Sequence, residues 1–242
     1  MIYNTIAKDI KAGKTQLALL IDPENQNPAQ LESKIKTADK AGVDFILVGG
    51  SLVSEPPEKT IDIIKDHTNI PVILFPGSLL QLSLNADAML LLSLISGRNP
   101  DFLIGSHVTA APFIKKSGIE TISTGYILID CGGQTSVHYL SNSAPIPAEK
   151  TDIITATALA GEMLGNKMIY LEAGSGAGNP VPEQVIRSVK NAVSVPLIAG
   201  GGIKNEASVL TAKKAGADII IVGNSTESNP EMILRFSEIV RE

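Results

Sequence analysis

"VPLIAGGGIKNEASVLTAKKAGADIIIVGN", residues 195–224, holds one complete structural unit. An apolar run from Val195 to Ala199 ends in three glycines, Gly200, Gly201 and Gly202. A polar-faced segment follows, with Asn205 placed to cap a helix and Gly216 placed to end it. A second apolar run, Ile219–Val222, ends in Gly223 and Asn224. Runs that are continuously apolar, not alternating, mark parallel strands covered on both faces. The stretch therefore predicts strand, helix, strand.

The same unit recurs outward through the chain. Further apolar runs are "QLALLID" (16–22), "FILVGG" (45–50), "VILFPG" (72–77), "AMLLLSLIS" (88–96), "GYILIDCG" (125–132) and "MIYLEAGS" (168–175). Helix patterns include "NPAQLESKIKTADKAGVD" (27–44), "PEQVIRSVKNAV" (182–193) and "NPEMILRFSEIVRE" (229–242). Eight strand candidates in β-α order predict an α/β fold, a single (β/α)8 TIM barrel over residues 1–242. A doubly wound sheet is the alternative. One connection is abnormal. Only Ser78–Asp87 separate the third and fourth strands, too few for an ordinary crossover helix. There "LLQLSL" alternates, with Leu80, Leu82 and Leu84 against Gln81 and Ser83. The third barrel helix is expected to be missing or replaced by an extended segment, leaving a gap lined by those three leucines or a merely tightened loop.

Composition excludes several classes. Net charge is −5 with scattered basic residues, which disfavours nucleic acid as a partner. Aromatics are only 4% and tryptophan is absent, so a base-stacking platform is not expected. The single cysteine, Cys131, permits neither an internal disulfide nor a cysteine-based zinc site. The start of the chain lacks the apolar core of a signal peptide. The run Ala88–Ile95 is too short to span a bilayer. A cytoplasmic protein with no transmembrane segment is expected.

Chemistry in such barrels collects at the carboxyl ends of the strands. Glycines there let backbone N–H groups approach an anion. Gly174, Ser175 and Gly176, with Gly201, Gly202, Gly223 and Asn224, are placed to cradle one phosphate; the bland alternative is that they are turn glycines. Tyr170, Glu172 and Gly174 share one side of their strand. Glu172 can thus face the barrel mouth and act as a general base, or form a structural ion pair. Lys167 lies at the other end of that strand, so Schiff-base chemistry is not expected. Asp22 and Ser51 end adjacent strands, a sparse donor set that suits Mg²⁺ completed by water and substrate oxygens. Asp22 could instead cap a helix. His67, His107 and His138 show no ligand spacing, and Arg98 stands near a strand end.

Taken together, "LLIDPE", "VGGS", "FPG", "YLEAGSGAG", "IAGGGI" and "IIVGN" resemble the geranylgeranylglyceryl phosphate synthases, from about residue 16 to 225 and in family order. The resemblance implies a Mg²⁺-dependent prenyltransferase of ether phospholipid biosynthesis. It would join sn-glycerol 1-phosphate to geranylgeranyl diphosphate, a prenyl diphosphate, and release diphosphate. It assigns Mg²⁺ to Asp22 and Ser51. It assigns the glycerol phosphate to Tyr170, Leu171, Glu172, Ala173, Gly174, Ser175, Gly176, Gly201, Gly202, Gly223 and Asn224. A homo-oligomer, dimer or hexamer, is implied as well. One departure is visible: Glu24 and Asn25 follow Pro23, where many members carry an acidic residue and a lysine. Whether Arg98, Tyr126 or Glu24 reaches the diphosphate stays open. The rivals are a sugar-phosphate isomerase of the same fold and a barrel that only binds a phosphate ligand.

Overall fold

A computed structural model describes residues 1–24, 27–227 and 229–242. Asn25, singled out above, lies outside the described residues. Eight parallel strands form the barrel: β1 (Gln16–Ile21), β2 (Phe45–Val48), β3 (Val72–Leu74), β4 (Ala88–Leu94), β5 (Glu120–Asp130), β7 (Met168–Glu172), β8 (Leu197–Gly200) and β9 (Ile219–Val222). Pairing runs β4-β3-β2-β1-β9-β8-β7-β5, and β4 pairs β5 from Ala88↔Glu120 to Leu94↔Tyr126, which closes the ring. A doubly wound sheet would have open edges, so that alternative is excluded. The two-residue strand β6 (Ile146–Pro147) pairs only the outer end of β5.

Alternation along each strand builds two cores. On β7, Ile169 and Leu171 join the layer between barrel and helices, and Met168 and Tyr170 fill the interior. The helices follow the expected caps. Helix α2 (Pro28–Ala41) starts with the Asn27 side chain accepting from the amides of Ala29 and Gln30 and stops at Gly42 with φ 67°. Helix α8 (Glu206–Ala215) has a capping box between Asn205 and Ser208 and ends at Gly216 with φ 100°.

Strand β5 starts at Glu120, five residues before the apolar run at Gly125 that marked it in the sequence. Its first half is polar and β-branched, and its use is visible in the fold. The Glu120 carboxylate accepts from the amides of Ile2 (2.5 Å) and Tyr3 (3.0 Å) at the start of helix α1 (Ile2–Lys11). A negative charge suits a helix N-terminus. Helix α1 closes the base of the barrel, with Ile6 buried in the interior core.

The third crossover has no α-helix. A single 3₁₀ turn, Leu79–Gln81, takes its place. Burial still alternates there, but with the faces reversed, since Ser83 is buried along with Gln81. Gln81 is buried, while Leu80 and Leu84 are 82% and 56% exposed. The physical reason for the reversal is the set of hydrogen bonds that Gln81 makes. Its Nε2 donates to the Gly50 carbonyl (2.7 Å), and its Oε1 accepts from the amides of Gly50 and Gly77 (both 3.2 Å). One side chain thus ties the loops after β2 and β3 where a helix would otherwise cover them.

Candidate functional site

Two cavities open at the carboxyl ends of the strands. The first is polar. It is walled by the ends of β1, β2, β7, β8 and β9 through Asp22, Ser51, Glu172, Gly174, Gly201 and Gly223. Tyr170, Ser175, Gly176, Gly202 and Asn224 line it too. Of the residues singled out in the sequence, Leu171 and Ala173 do not. Alternation on β7 turns both into the outer core, where they are almost completely buried.

Glu172 is the best-defined member. It is buried, and its Oε1 accepts from the Gly174 amide at 2.6 Å. Gly201 makes this geometry possible: it has φ 77°, and a Cβ there would stand 2.3 Å from Glu172 Oε1. Burial raises the carboxyl pKa of Glu172 above its ordinary value. The Tyr170 hydroxyl, the Gly174 amide and the Tyr126 hydroxyl oppose that rise by favouring the charged form. Tyr170 Oη faces the carboxylate without a well-formed hydrogen bond of its own. Both phenols are raised well above their ordinary value, by burial first and then by the charge of Glu172. The result is a carboxylate that holds a proton more readily than an exposed one, at a cavity wall.

Asp22 packs against Gly50, where a Cβ would lie 2.6 Å from Oδ2. Its Oδ1 accepts from the Glu24 amide at 3.0 Å. Burial raises its pKa; the Glu24 amide opposes this, and the charges of Glu227 and Glu24 add to it. Glu24 itself is occupied by the Ser54 amide (2.8 Å) and hydroxyl (2.7 Å). Among the described residues no group of three or more His, Cys, Asp or Glu could hold a metal ion. Arg98 lines neither cavity; it donates to the Gly97 carbonyl at 2.7 Å.

Three further lining residues escaped the sequence reading because only the closed barrel brings their loops to the site. Lys204 reaches across to the Gly178 carbonyl (3.1 Å) and straps the loop after β7 to the loop after β8. Ser225 lines the cavity with its Oγ buried and unpartnered. Glu227 lines it beyond β9. The Asn224 amide donates to Ser175 Oγ at 3.3 Å, joining two glycine loops. Glycine amides, a serine hydroxyl in want of a partner and one lysine can together accept an anion.

The second cavity is an apolar groove in the gap left by the missing helix. Leu79, Leu82, Met89, Leu91, Phe102 and Leu140 are among its lining residues. Leu80 and Leu84, expected to line it, do not; Leu79 and Leu82 do. Gly50, Ser51, Phe75, Tyr126 and Val137 belong to both cavities, so the two meet.

These features define a class: a (β/α)8 barrel that joins a polar, glycine-walled cavity to an apolar side groove. The chain belongs to the PcrB family, whose model matches residues 9–240. It is 48% identical over 240 residues to the geranylgeranylglyceryl phosphate synthase of Spirosoma linguale, covering 98% of this chain and 96% of that one. It is 43% identical over 239 residues to the synthase of that name from Methanosphaera stadtmanae, with 98% and 97% covered. Among solved structures it matches (S)-3-O-geranylgeranylglyceryl phosphate synthase from Thermoplasma acidophilum in complex with substrate sn-glycerol-1-phosphate. The TM-score is 0.92 at 31% identity, covering 100% of this chain and 98% of that one. No helix among the described residues is long and apolar enough to cross a membrane.

Proposed function

We propose that this chain is a prenyltransferase that joins the C3 hydroxyl of sn-glycerol 1-phosphate to geranylgeranyl diphosphate. The products are an ether-linked lipid precursor and diphosphate. The observation that carries the reading is the meeting of the polar cavity and the apolar groove beside Glu172. A sugar-phosphate isomerase has no use for such a groove, nor does a barrel that only stores a phosphate ligand. The synthase names of the relatives and the acceptor held by the Thermoplasma enzyme support the same assignment.

In this reading the glycine loops after β7, β8 and β9 hold the acceptor's phosphate, and Ser225 offers its free hydroxyl. Glu172 accepts the proton of the terminal hydroxyl, a role helped by burial, which raises its pKa above the ordinary glutamate value. The groove orients the prenyl chain and excludes water from its reacting end. Asp22 and Ser51 would hold Mg²⁺. The residues present fit it: the Asp22 carboxylate sits in the negative field of Glu24 and Glu227, and a sparse oxygen set suits an ion that keeps waters and takes substrate oxygens. When bound, the ion would neutralise charge on the departing diphosphate. Exposed apolar side chains on helices α4 (Ser106–Ser117) and α5 (Ser136–Ser141), namely Val108, Phe113 and Tyr139, support a homo-oligomer. A cytoplasmic location is part of the same proposal.

The test is product formation from sn-glycerol 1-phosphate or sn-glycerol 3-phosphate with prenyl diphosphates of several lengths, with and without magnesium. Ether formation that prefers the 1-phosphate and the twenty-carbon donor is expected. No ether product with any pair would overturn the proposal.

A further inference from the structure

The chain has five phenylalanines and four tyrosines, and three of these rings converge where the two cavities meet. Phe75 follows β3, Tyr126 lies on β5 and Tyr170 on β7. Ring centroids are 5.1 Å apart for Tyr126–Tyr170, nearly edge-on at 79°, 5.6 Å for Phe75–Tyr170 and 6.1 Å for Phe75–Tyr126. Elsewhere the barrel interior is filled mainly by aliphatic side chains, such as Ile73, Leu90, Leu128, Ile198 and Ile221. Core packing alone does not call for aromatic residues at this one level. Nor is the cluster sealed: Phe75 and Tyr126 line both cavities, and Tyr170 and Glu172 line the polar one.

The proposed reaction places a positive charge at this point. The bond between C1 of the prenyl chain and the diphosphate oxygen breaks, and its electron pair leaves with diphosphate. C1 and C3 of the allylic unit become electron-poor. An oxygen lone pair of the acceptor hydroxyl forms the new C1–O bond, and the hydroxyl proton passes to Glu172. The electron-poor carbons must lie between the groove, which holds the chain, and the polar cavity, which holds the hydroxyl. Phe75 and Tyr126 border that place from both sides. An aromatic ring attracts a cation through its quadrupole, most strongly where water is excluded.

We infer that Phe75 and Tyr126 are catalytic residues of this reaction, their rings stabilising the allylic cation as diphosphate departs, with Tyr170 as the positioning residue packed against both. This rests on the prenyl-transfer reading. The high pKa of the two phenols suits the role, because a neutral phenol is a poor competitor of the acceptor hydroxyl for the cation.

The experiment replaces Phe75 site-specifically with mono-, di- and trifluorinated phenylalanine. Fluorine drains the ring's quadrupole while changing its shape little. The readout is the single-turnover rate of ether formation, with the KM for glycerol phosphate measured beside it. A desolvated cation–π contact predicts a stepwise fall totalling about tenfold to thirtyfold across the series, at unchanged KM. Tyr126→Phe should keep most of the rate, and Tyr126→Leu should lose it to a similar extent as trifluorination at Phe75. A flat fluorine series in a protein that does transfer prenyl groups overturns this inference alone. Absence of transfer by the unmodified protein overturns the prenyl-transfer reading and this inference with it.

Discussion

Glu172 keeps its charge at a cost to the fold. Its folded-state pKa is raised above the ordinary glutamate value of 4.5 by burial, so the folded chain binds that proton more tightly than the unfolded one. Below both values the side chain has no net effect. As pH rises through the unfolded value the folded state loses stability, until pH passes the folded value and the loss becomes constant. Glu172→Gln should therefore raise the melting temperature at neutral pH by a few degrees. The gain should fade as pH falls toward the ordinary glutamate value. The same substitution should cut turnover by about two to four powers of ten and leave acceptor affinity essentially intact. In the unmodified enzyme the acidic limb of the rate profile should lie above the ordinary glutamate range, since protonation removes the base. Thermal melts and rates across pH test both halves. A stabilisation independent of pH would refute the buried-charge account, and near-normal turnover would remove Glu172 from the reaction.

Between neighbouring elements, the decisive feature is the gap after β3, held by Gln81 and not by a helix. Gln81→Leu should leave the Gly50 and Gly77 amides and the Gly50 carbonyl without this partner. An unsatisfied buried group costs about 1–3 kcal/mol, so the denaturation midpoint should fall while acceptor binding, on the opposite strands, stays the same. Donor length belongs to the same element. One isoprene unit, five carbons, is worth roughly 3–4 kcal/mol when fully covered. Leu82→Trp should therefore shift preference toward fifteen-carbon donors, and Leu84→Trp should not, because Leu84 lies outside the groove. Specificity constants for both donors decide it; an equal shift in the two variants would place the chain elsewhere. The sequence made the strand ends legible because parallel strands read as unbroken apolar runs that stop at glycines. It did not reveal the inward side of "LLQLSL", because hydropathy puts the leucines inside, whereas Gln81 is buried by its hydrogen bonds to Gly50 and Gly77. Nor did it reveal the first half of β5, where Glu120 is polar because it holds the start of α1. Lys204, Ser225 and Glu227 were invisible for a third reason: only the closed barrel brings their loops together.

Across the whole molecule, charge separates the two substrates. The chain carries net charge −5, and its polar cavity is lined by Asp22, Glu172 and Glu227. Among the described residues lining it, the only basic one is Lys204. Both proposed substrates are anions, yet they meet different surroundings. The acceptor's phosphate would face glycine amides, the Ser225 hydroxyl and the Lys204 ammonium. The diphosphate would face the end of the cavity at Asp22, where Glu24 and Glu227 add to the negative field. Like charges a few ångströms apart repel appreciably when partly buried, and salt at about 0.15 M screens only beyond roughly 8 Å. The donor should therefore bind weakly without a divalent ion, and extra monovalent salt should not replace one. Acceptor affinity should be indifferent to magnesium. Asp22→Asn removes one of the repelling charges and one of the groups proposed to hold the ion. Donor binding in a chelator should then be equal to or tighter than that of the unmodified protein, while the gain on adding magnesium should largely vanish. Calorimetric titration of a non-reactive donor analogue and of glycerol 1-phosphate, each with and without magnesium, measures all four quantities. A magnesium gain that survives Asp22→Asn unchanged would take Asp22 out of the metal site. A gain equally large for the acceptor would show that the two anions share one electrostatic environment, and would undo the division of the cavity on which the reaction scheme depends.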